Sequence, residues 1–336
     1  MLHRIILMLN CILVTLLLLA CIASYISLNA LLVLSLLSLT VPILVFFNMF
    51  FVLFWVWQRR RYFLISAVAL VMTYLVLGSF YTINFEKSDL ENQKELKVLS
   101  YNVLGFDRYR RLEEAEVTQK IVHFVREQDP DVVVFQEFNY REAKRFDQYS
   151  YHFVNYIFKN ESKVQQAIFS KYPIVSQGSL DFPETGNNAI FADIVYQRDT
   201  IRIYNVHLQS FKVIPNRASI SGEPSEKLLK RILETFRKQR EQATLLNEHR
   251  KKSPYKSILC GDFNATQFSN VYRILKKDMK DTFLERGAGF GSTYNLRGLP
   301  FRIDFILTDS SFEVVAHKNF KIQLSDHFPV MATIRL

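Results

Sequence analysis

The chain has 336 residues with a formal net charge of +10 and three cysteines, long enough for one large domain or two ordinary ones and too poor in cysteine for a disulfide framework. Arg4 and Arg59 to Arg61 supply four of those charges, leaving +6 after residue 85; this mild excess suits anionic substrates without being diagnostic of nucleic acid. The averages conceal two unlike parts, because Ile5 to Gln58 and Tyr62 to Phe85 contain no Asp, Glu, Lys or Arg, and every acidic residue lies at Glu86 or later.

The first part predicts a membrane anchor over residues 1–85. A bilayer core of about 30 Å takes ~20 apolar helical residues, so the sequence is expected to form three transmembrane helices at about 5–25, 31–57 and 62–83, with a turn at Ser24 to Asn29. Pro42 is tolerated as a kink in the second, and Trp55 and Trp57 fall where interfacial aromatics are expected. Arg59, Arg60 and Arg61 mark a cytoplasmic loop, which places the soluble domain on the outer face, the periplasm in a bacterium. The Leu18-Leu19-Ala20-Cys21 string faintly resembles a lipoprotein cleavage box, but apolar chain rather than a polar tether follows Cys21.

After a charged linker at 86–96, short apolar runs alternate with helical patterns. Strands are expected at Val98 to Val103, Val132 to Gln136, Tyr151 to Phe158, Ala167 to Ser170, Phe191 to Tyr196, Ile201 to His207, Ser257 to Cys260, Arg302 to Leu307, Phe312 to His317 and Val330 to Arg335. Helices are expected at Glu114 to Glu127 and Glu226 to Arg250, the latter with an apolar stripe at Leu229, Ile232, Leu233, Phe236, Ala243 and Leu246. Lys230, Arg231, Arg237, Lys238 and Arg240 make its other face basic, which reads as a solvated face or as a phosphate or lipid-headgroup contact. Residues 97–336 therefore predict a layered α/β domain of two packed sheets with its chemistry at the strand ends.

Polar residues suited to phosphate chemistry recur at those ends. Asn102 follows Leu99-Ser100-Tyr101, Glu137 follows Val134-Phe135-Gln136, and His207 follows Tyr204-Asn205-Val206. Asp262 and Asn264 stand in Gly261-Asp262-Phe263-Asn264, Asp304 in Arg302-Ile303-Asp304-Phe305, and Asp326 and His327 in Ser325-Asp326-His327. Singly each is a weak signal, since a strand-end Asp is more often a turn former than a catalyst. Together and in this order they resemble the endonuclease/exonuclease/phosphatase superfamily, whose members include deoxyribonucleases, abasic-site endonucleases, sphingomyelinases and inositol-polyphosphate phosphatases. The resemblance runs from about Lys97 to Leu336 and includes the Ile168-Phe169-Ser170-Lys171-Tyr172-Pro173-Ile174 string.

That resemblance implies a deoxyribonuclease-like two-sheet β-sandwich flanked by helices. It also implies a metal-dependent hydrolysis of phosphodiesters. Glu137 would hold the metal with Asn102 beside it, and Asp326 would tune the site or contact a second ion. Oxygen ligands call for Mg²⁺ or Mn²⁺ rather than zinc. Asp262 would orient and deprotonate the attacking water, Asn264 would fix water or phosphate geometry, and His207 and His327 would donate to phosphoryl oxygens. Asp304 would set the His327 tautomer, with Asn205 and Thr293 as candidate substrate contacts. The sequence departs from the abasic-site branch at Leu104, where that branch carries an acid two positions after the first Asn. The expected substrate is nucleic acid or a related phosphodiester; a phospholipid or sphingolipid is the alternative, and an inactive binding protein on the same fold the second.

Overall fold

The computed structural model describes residues 1–25, 32–84, 95–107, 116–155, 164–211, 225–296 and 299–336. Most of the expected turn at Ser24 to Asn29 and most of the linker lie outside them.

The apolar leader forms α1 (Leu2–Ala23), the short α2 (Leu32–Ser35), α3 (Leu37–Trp57) and α4 (Phe63–Leu77). Two of these, α1 with 22 residues and α3 with 21, are long and apolar enough to cross a membrane. The expectation of three spans is corrected at α4, whose 15 residues rise only about 22 Å. Gly78, at φ +82°, ends this helix well short of residue 83.

The three longer helices pack with their polar side chains inward. Asn10, Val14, Leu17 and Cys21 are the buried stripe of α1. Asn10 donates to Ser66 Oγ at 2.6 Å, Ser66 Oγ donates to Asn48 Oδ1 at 2.9 Å, and the Trp55 indole donates to Asn10 Oδ1 at 2.9 Å. Trp55 is thus wholly buried inside the bundle, contrary to the interfacial position expected for it, while Trp57 is exposed. The outward faces carry Met8, Leu9, Phe46, Phe50, Leu53, Val71 and Leu75. Apolar outside and hydrogen-bonded polar inside is the arrangement that a hydrocarbon solvent favours.

The rest of the chain folds into two six-stranded sheets and a hairpin among the described residues. The first sheet runs β13-β14-β1-β2-β4-β3, built from β1 (Leu96–Asn102), β2 (Val132–Gln136), β3 (Tyr151–Val154), β4 (Ala167–Ser170), β13 (Glu313–Asn319) and β14 (Val330–Arg335). The second runs β5-β6-β7-β8-β12-β9, from β5 (Ile174–Leu180), β6 (Asn188–Tyr196), β7 (Asp199–His207), β8 (Ser257–Asp262), β9 (Met279–Asp281) and β12 (Asp304–Asp309). The hairpin is β10 (Tyr294–Leu296) with β11 (Leu299–Phe301).

The central strands read as unbroken apolar runs because both of their faces are covered. Val98, Val132, Ile203, Ile258, Ile306 and Ile334 meet between the sheets. Their neighbours in sequence point the other way, Leu99 and Val133 under the helix Val117–Gln128 and Leu259 and Leu307 under the helix Ser225–Lys252. Each such buried aliphatic side chain contributes about 1.5–3 kcal/mol. The result is the expected two-sheet sandwich flanked by helices. Strand β5, not expected from sequence, is mostly solvent-facing and so lacks an apolar run to reveal it.

Candidate active site

Strand register assembles the site. β7 and β8 run parallel with His207 opposite Asp262, and β12 runs antiparallel to β8 with Asp304 opposite Asp262. Three chemically able side chains thus stand in one row across the second sheet, at strand spacings of about 4.8 Å. In the first sheet the parallel pair β1–β2 sets Asn102 opposite Gln136, with Glu137 next in chain. His327 arrives from the loop before β14 through a bridge to Tyr294.

Asp262 is the hub. Its Oδ1 accepts from the Asn264 backbone N–H at 2.8 Å, and its Oδ2 accepts from Asn102 Nδ2 at 3.1 Å and Asn264 Nδ2 at 3.2 Å. The nearest ring nitrogens of His207 and His327 lie 3.7 and 3.6 Å from it. Burial raises the Asp262 carboxyl to about 6, against the opposing pull of His327. His327 Nδ1 donates to Asp304 Oδ2 at 2.9 Å. Burial works against charge on that ring, yet Asp304 and Asp262 outweigh it and push it up to about 10.

His207 differs. Burial lowers its pKa, and both of its buried ring nitrogens lack a hydrogen-bond partner. Such a group costs about 1–3 kcal/mol and is the kind of defect found where a ligand is awaited. Glu137, whose side chain is 34% exposed, stands 3.9 Å from His207 Nε2 and accepts from Asn102 Nδ2 at 3.4 Å. Glu137 and Asn264 both hold left-handed backbone, φ +50° and +48°, a strain concentrated at functional sites. Gly261, at φ +137°, has no substitute, since a Cβ there would stand 2.0 Å from the Val206 carbonyl oxygen.

Glu137 offers a half-exposed carboxylate, which suits a hard divalent ion; Asn102 turns its Nδ2 toward it, and the Asn102 Oδ1 accepts from the Leu104 backbone N–H at 3.2 Å. Half-buried Asp326 stands on the adjoining loop. Asp262, Asp304 and His327 also offer ligand atoms within 4.8 Å of one another, but the short Asp304–His327 bond occupies that pair with a proton. The cysteines are elsewhere, Cys260 in the core and Cys11 and Cys21 in the bundle.

Two expectations are corrected. Asn205 is not a substrate contact: its Oδ1 accepts from Gln136 and Gln166, and its Nδ2 donates to the Phe135 and Ala167 carbonyls. Every polar valence is spent joining β7 to β2 and β4 beneath the site. Thr293 is wholly buried, and its Oγ1 accepts from the Ile303 and Asp304 backbone N–H groups at 3.0 Å each. It positions Asp304 instead of contacting phosphate. Asn264 directs its Nδ2 to Asp262 Oδ2 and the Leu208 carbonyl.

Sequence reasoning missed three contributors. Gln136 crosses between the sheets to Asn205, and a glutamine inside an apolar strand was its available signal. Ser325 donates to the Asn102 carbonyl at 2.7 Å, tying the Ser-Asp-His loop to β1. Tyr294 lays its ring 4.8 Å from that of His327, and nothing local announces it.

The site is also joined to the helical bundle. Thr266 donates to the Ser38 carbonyl, Asn270 to the Ser24 carbonyl and Gln267 to the Ser79 carbonyl. Phe268 enters the bundle core and stacks on Phe80 at 4.6 Å. Gln267 Oε1 accepts in turn from Arg302 Nε at 2.6 Å, two residues before Asp304.

Residues 99–327 match the Endonuclease/Exonuclease/phosphatase family, and residues 3–80 match a domain of unknown function (DUF8431). No curated protein matches the chain. Among solved structures, D. rerio TDP2 complexed with single-strand DNA product is similar at 18% identity and a TM-score of 0.55, covering 73% of this chain and 100% of that one. A mannosyl-6-phosphatase of Bacteroides thetaiotaomicron is similar at 17% identity and a TM-score of 0.53, covering 72% and 100%. An endonuclease/exonuclease/phosphatase protein of Beutenbergia cavernae is similar at 19% identity and a TM-score of 0.54, covering 73% and 72%. These likenesses are of fold.

Proposed function

The chain belongs to the endonuclease/exonuclease/phosphatase family and is a hydrolase of phosphoric ester bonds, and from that premise we propose a membrane-anchored, divalent-metal-dependent phosphodiesterase. The observation that carries the reading is the pair of imidazoles flanking Asp262. His327 is anchored by Asp304, which helps push its pKa up to about 10; burial lowers that of His207, whose buried ring nitrogens have no hydrogen-bond partner. Two donors converging beside a carboxylate suit a phosphoryl group whose oxygens gain charge in the transition state.

In this reading Asp262, raised toward neutrality, takes the proton of the attacking water and is held in line by Asn102 and Asn264. His327 and His207 donate to the phosphoryl oxygens. Glu137, Asn102 and Asp326 are the residues that would hold Mg²⁺ or Mn²⁺, which when bound polarises the phosphoryl group as a Lewis acid.

The anchor is proposed to lie in the membrane through α1 and α3 with the Arg59 to Arg61 loop cytoplasmic. In this arrangement α4, too short for a full bilayer core, returns the chain and its catalytic domain to the outer face beside them where the bilayer thins around it. The inside-out packing of α1, α3 and α4 supports the membrane, and the docking of the domain at the opposite end from that loop supports the orientation. Nucleic acid draws support from the neighbour solved with a DNA product. The long helix adds little: Arg237 is engaged by Glu234 and Glu241, and Lys238 donates to the Glu184 carbonyl.

The test is the full chain in detergent, assayed with Mg²⁺ against bis(p-nitrophenyl) phosphate and p-nitrophenyl phosphate. The reading expects diester cleavage that Asp262→Asn abolishes. Cleavage of the monoester alone, or diester cleavage untouched by Asp262→Asn, overturns it.

A further inference from the structure

Both loops that wall the candidate site are the loops that dock on the bundle. One follows Asp262: Thr266, four residues on, bonds to Ser38 at the start of α3, and Phe268 enters the bundle. The other precedes Tyr294, whose ring meets His327; four residues earlier Phe290 packs edge-on against Tyr81 at 5.0 Å, beside a backbone bridge between Gly289 and Thr82. Four residues reach at most about 14 Å. The reacting groups therefore stand only a short loop above the helix ends.

The junction between bundle and domain carries three exposed apolar side chains. Thr82 points inward, while its neighbours Tyr81 and Ile83 are 51% and 71% exposed, and Phe290 is 59% exposed. Exposed aromatic and aliphatic side chains are costly in water but usual where a protein meets headgroups and upper acyl chains. Tyr81 and Ile83 follow closely on α4 of the bundle, and Phe290 lies four residues before Tyr294, whose ring meets His327.

We infer that the Tyr81, Ile83 and Phe290 face is a landing rim over which a lipid of the outer leaflet presents its headgroup phosphodiester to the site, so that the enzyme draws its substrate from the bilayer. The inference rests on the proposed phosphodiesterase reading and deepens it by naming the source of the substrate. The rim holds the neck of the lipid, while Asp262 and the two imidazoles address the phosphate.

The test uses the full chain in mixed phosphatidylethanolamine/phosphatidylglycerol vesicles with Mg²⁺. Release of headgroup from these lipids is compared with hydrolysis of their deacylated glycerophosphodiesters and of bis(p-nitrophenyl) phosphate in solution. For Phe290→Ser and Ile83→Ser, kcat/KM on vesicle lipid is expected to fall about tenfold, the worth of about 1.4 kcal/mol of lost apolar contact, with the soluble probes unchanged. Hydrolysis of soluble probes without release from vesicles overturns the inference and leaves the phosphodiesterase reading standing, as does an equal fall on both substrates. Absence of hydrolysis of any probe overturns both.

Discussion

Asp304 Oδ2 lies 2.9 Å from His327 Nδ1, and the two residues reach this distance from strand β12 of the second sheet and from the loop that leads into β14 of the first. An imidazole that donates from one nitrogen needs its other nitrogen fixed, and the carboxylate does this while favouring the charged ring. His327→Ala is expected to lower kcat by about 10² to 10⁴. Asp304→Asn is expected to lose much of the same, and the double variant little more, because members of one unit are non-additive. Steady-state kinetics of the four proteins decides it: strictly additive losses mean that the pair does not act as one.

Removal of divalent ions is expected to abolish turnover, since Glu137 offers oxygen ligation alone. Activity should return with Mg²⁺ or Mn²⁺. Glu137→Gln should raise the metal concentration for half activation at least tenfold without lowering thermal stability. Undiminished turnover in EDTA would remove the ion from the reaction.

Gly261→Ala places a methyl group 2.0 Å from the Val206 carbonyl oxygen at a φ of +137°. Both the clash and the backbone conformation oppose it, so the cost should exceed about 1 kcal/mol. Urea unfolding of the full chain in detergent measures it. A midpoint equal to the parent's would show that β7 and β8 separate at no cost.

Gln267 links the bundle to Arg302, and Arg302 also pairs with Asp281 at 2.7 Å. Gln267→Leu leaves a buried guanidinium N–H without its acceptor beside the Asp304 strand. The expected result is a severalfold lower kcat on a small soluble diester with KM nearly unchanged, partly rescued by Gln267→Glu. A change confined to melting temperature would reduce Gln267 to a packing role.

Acid sensitivity is expected from His317. Burial, aided by Arg302 and opposed by Asp281, lowers its pKa to about 4; Thr282 Oγ1 meets its Nδ1 at 2.8 Å. Between the unfolded value near 6.5 and about 4, the unfolded chain binds a proton that the folded one refuses. Stability therefore falls as pH drops through that window and levels off below it. Melting temperatures across pH 4 to 7 should show a shallower slope for His317→Gln than for the parent; identical slopes would assign the acid loss to other groups.

The division of the chain into an apolar leader and a sandwich of short strands was legible in sequence, because each rests on local runs of residue type. So was the identity of the strand-end acids, amides and imidazoles from Asn102 to His327. Polar residues that close buried strands are conspicuous wherever they finally lie. Spacing could not say which of them meet. Asn205 and His207 look alike in sequence, two residues apart on one strand. Yet Asn205 faces the other sheet and is saturated by Gln136, Gln166 and two carbonyls, while His207 ends the strand with both nitrogens unpaired. Trp55 and Thr293 turned inward for the same reason. Hydropathy and motif measure what a residue tolerates, whereas its partners come from elements 45 residues away, as for Trp55 with Asn10, or from another sheet. The joining of the bundle to the loops around Asp262 and Tyr294 was decided by tertiary structure alone, since contacts such as Thr266 to Ser38, 228 residues apart, leave no periodic trace in the chain.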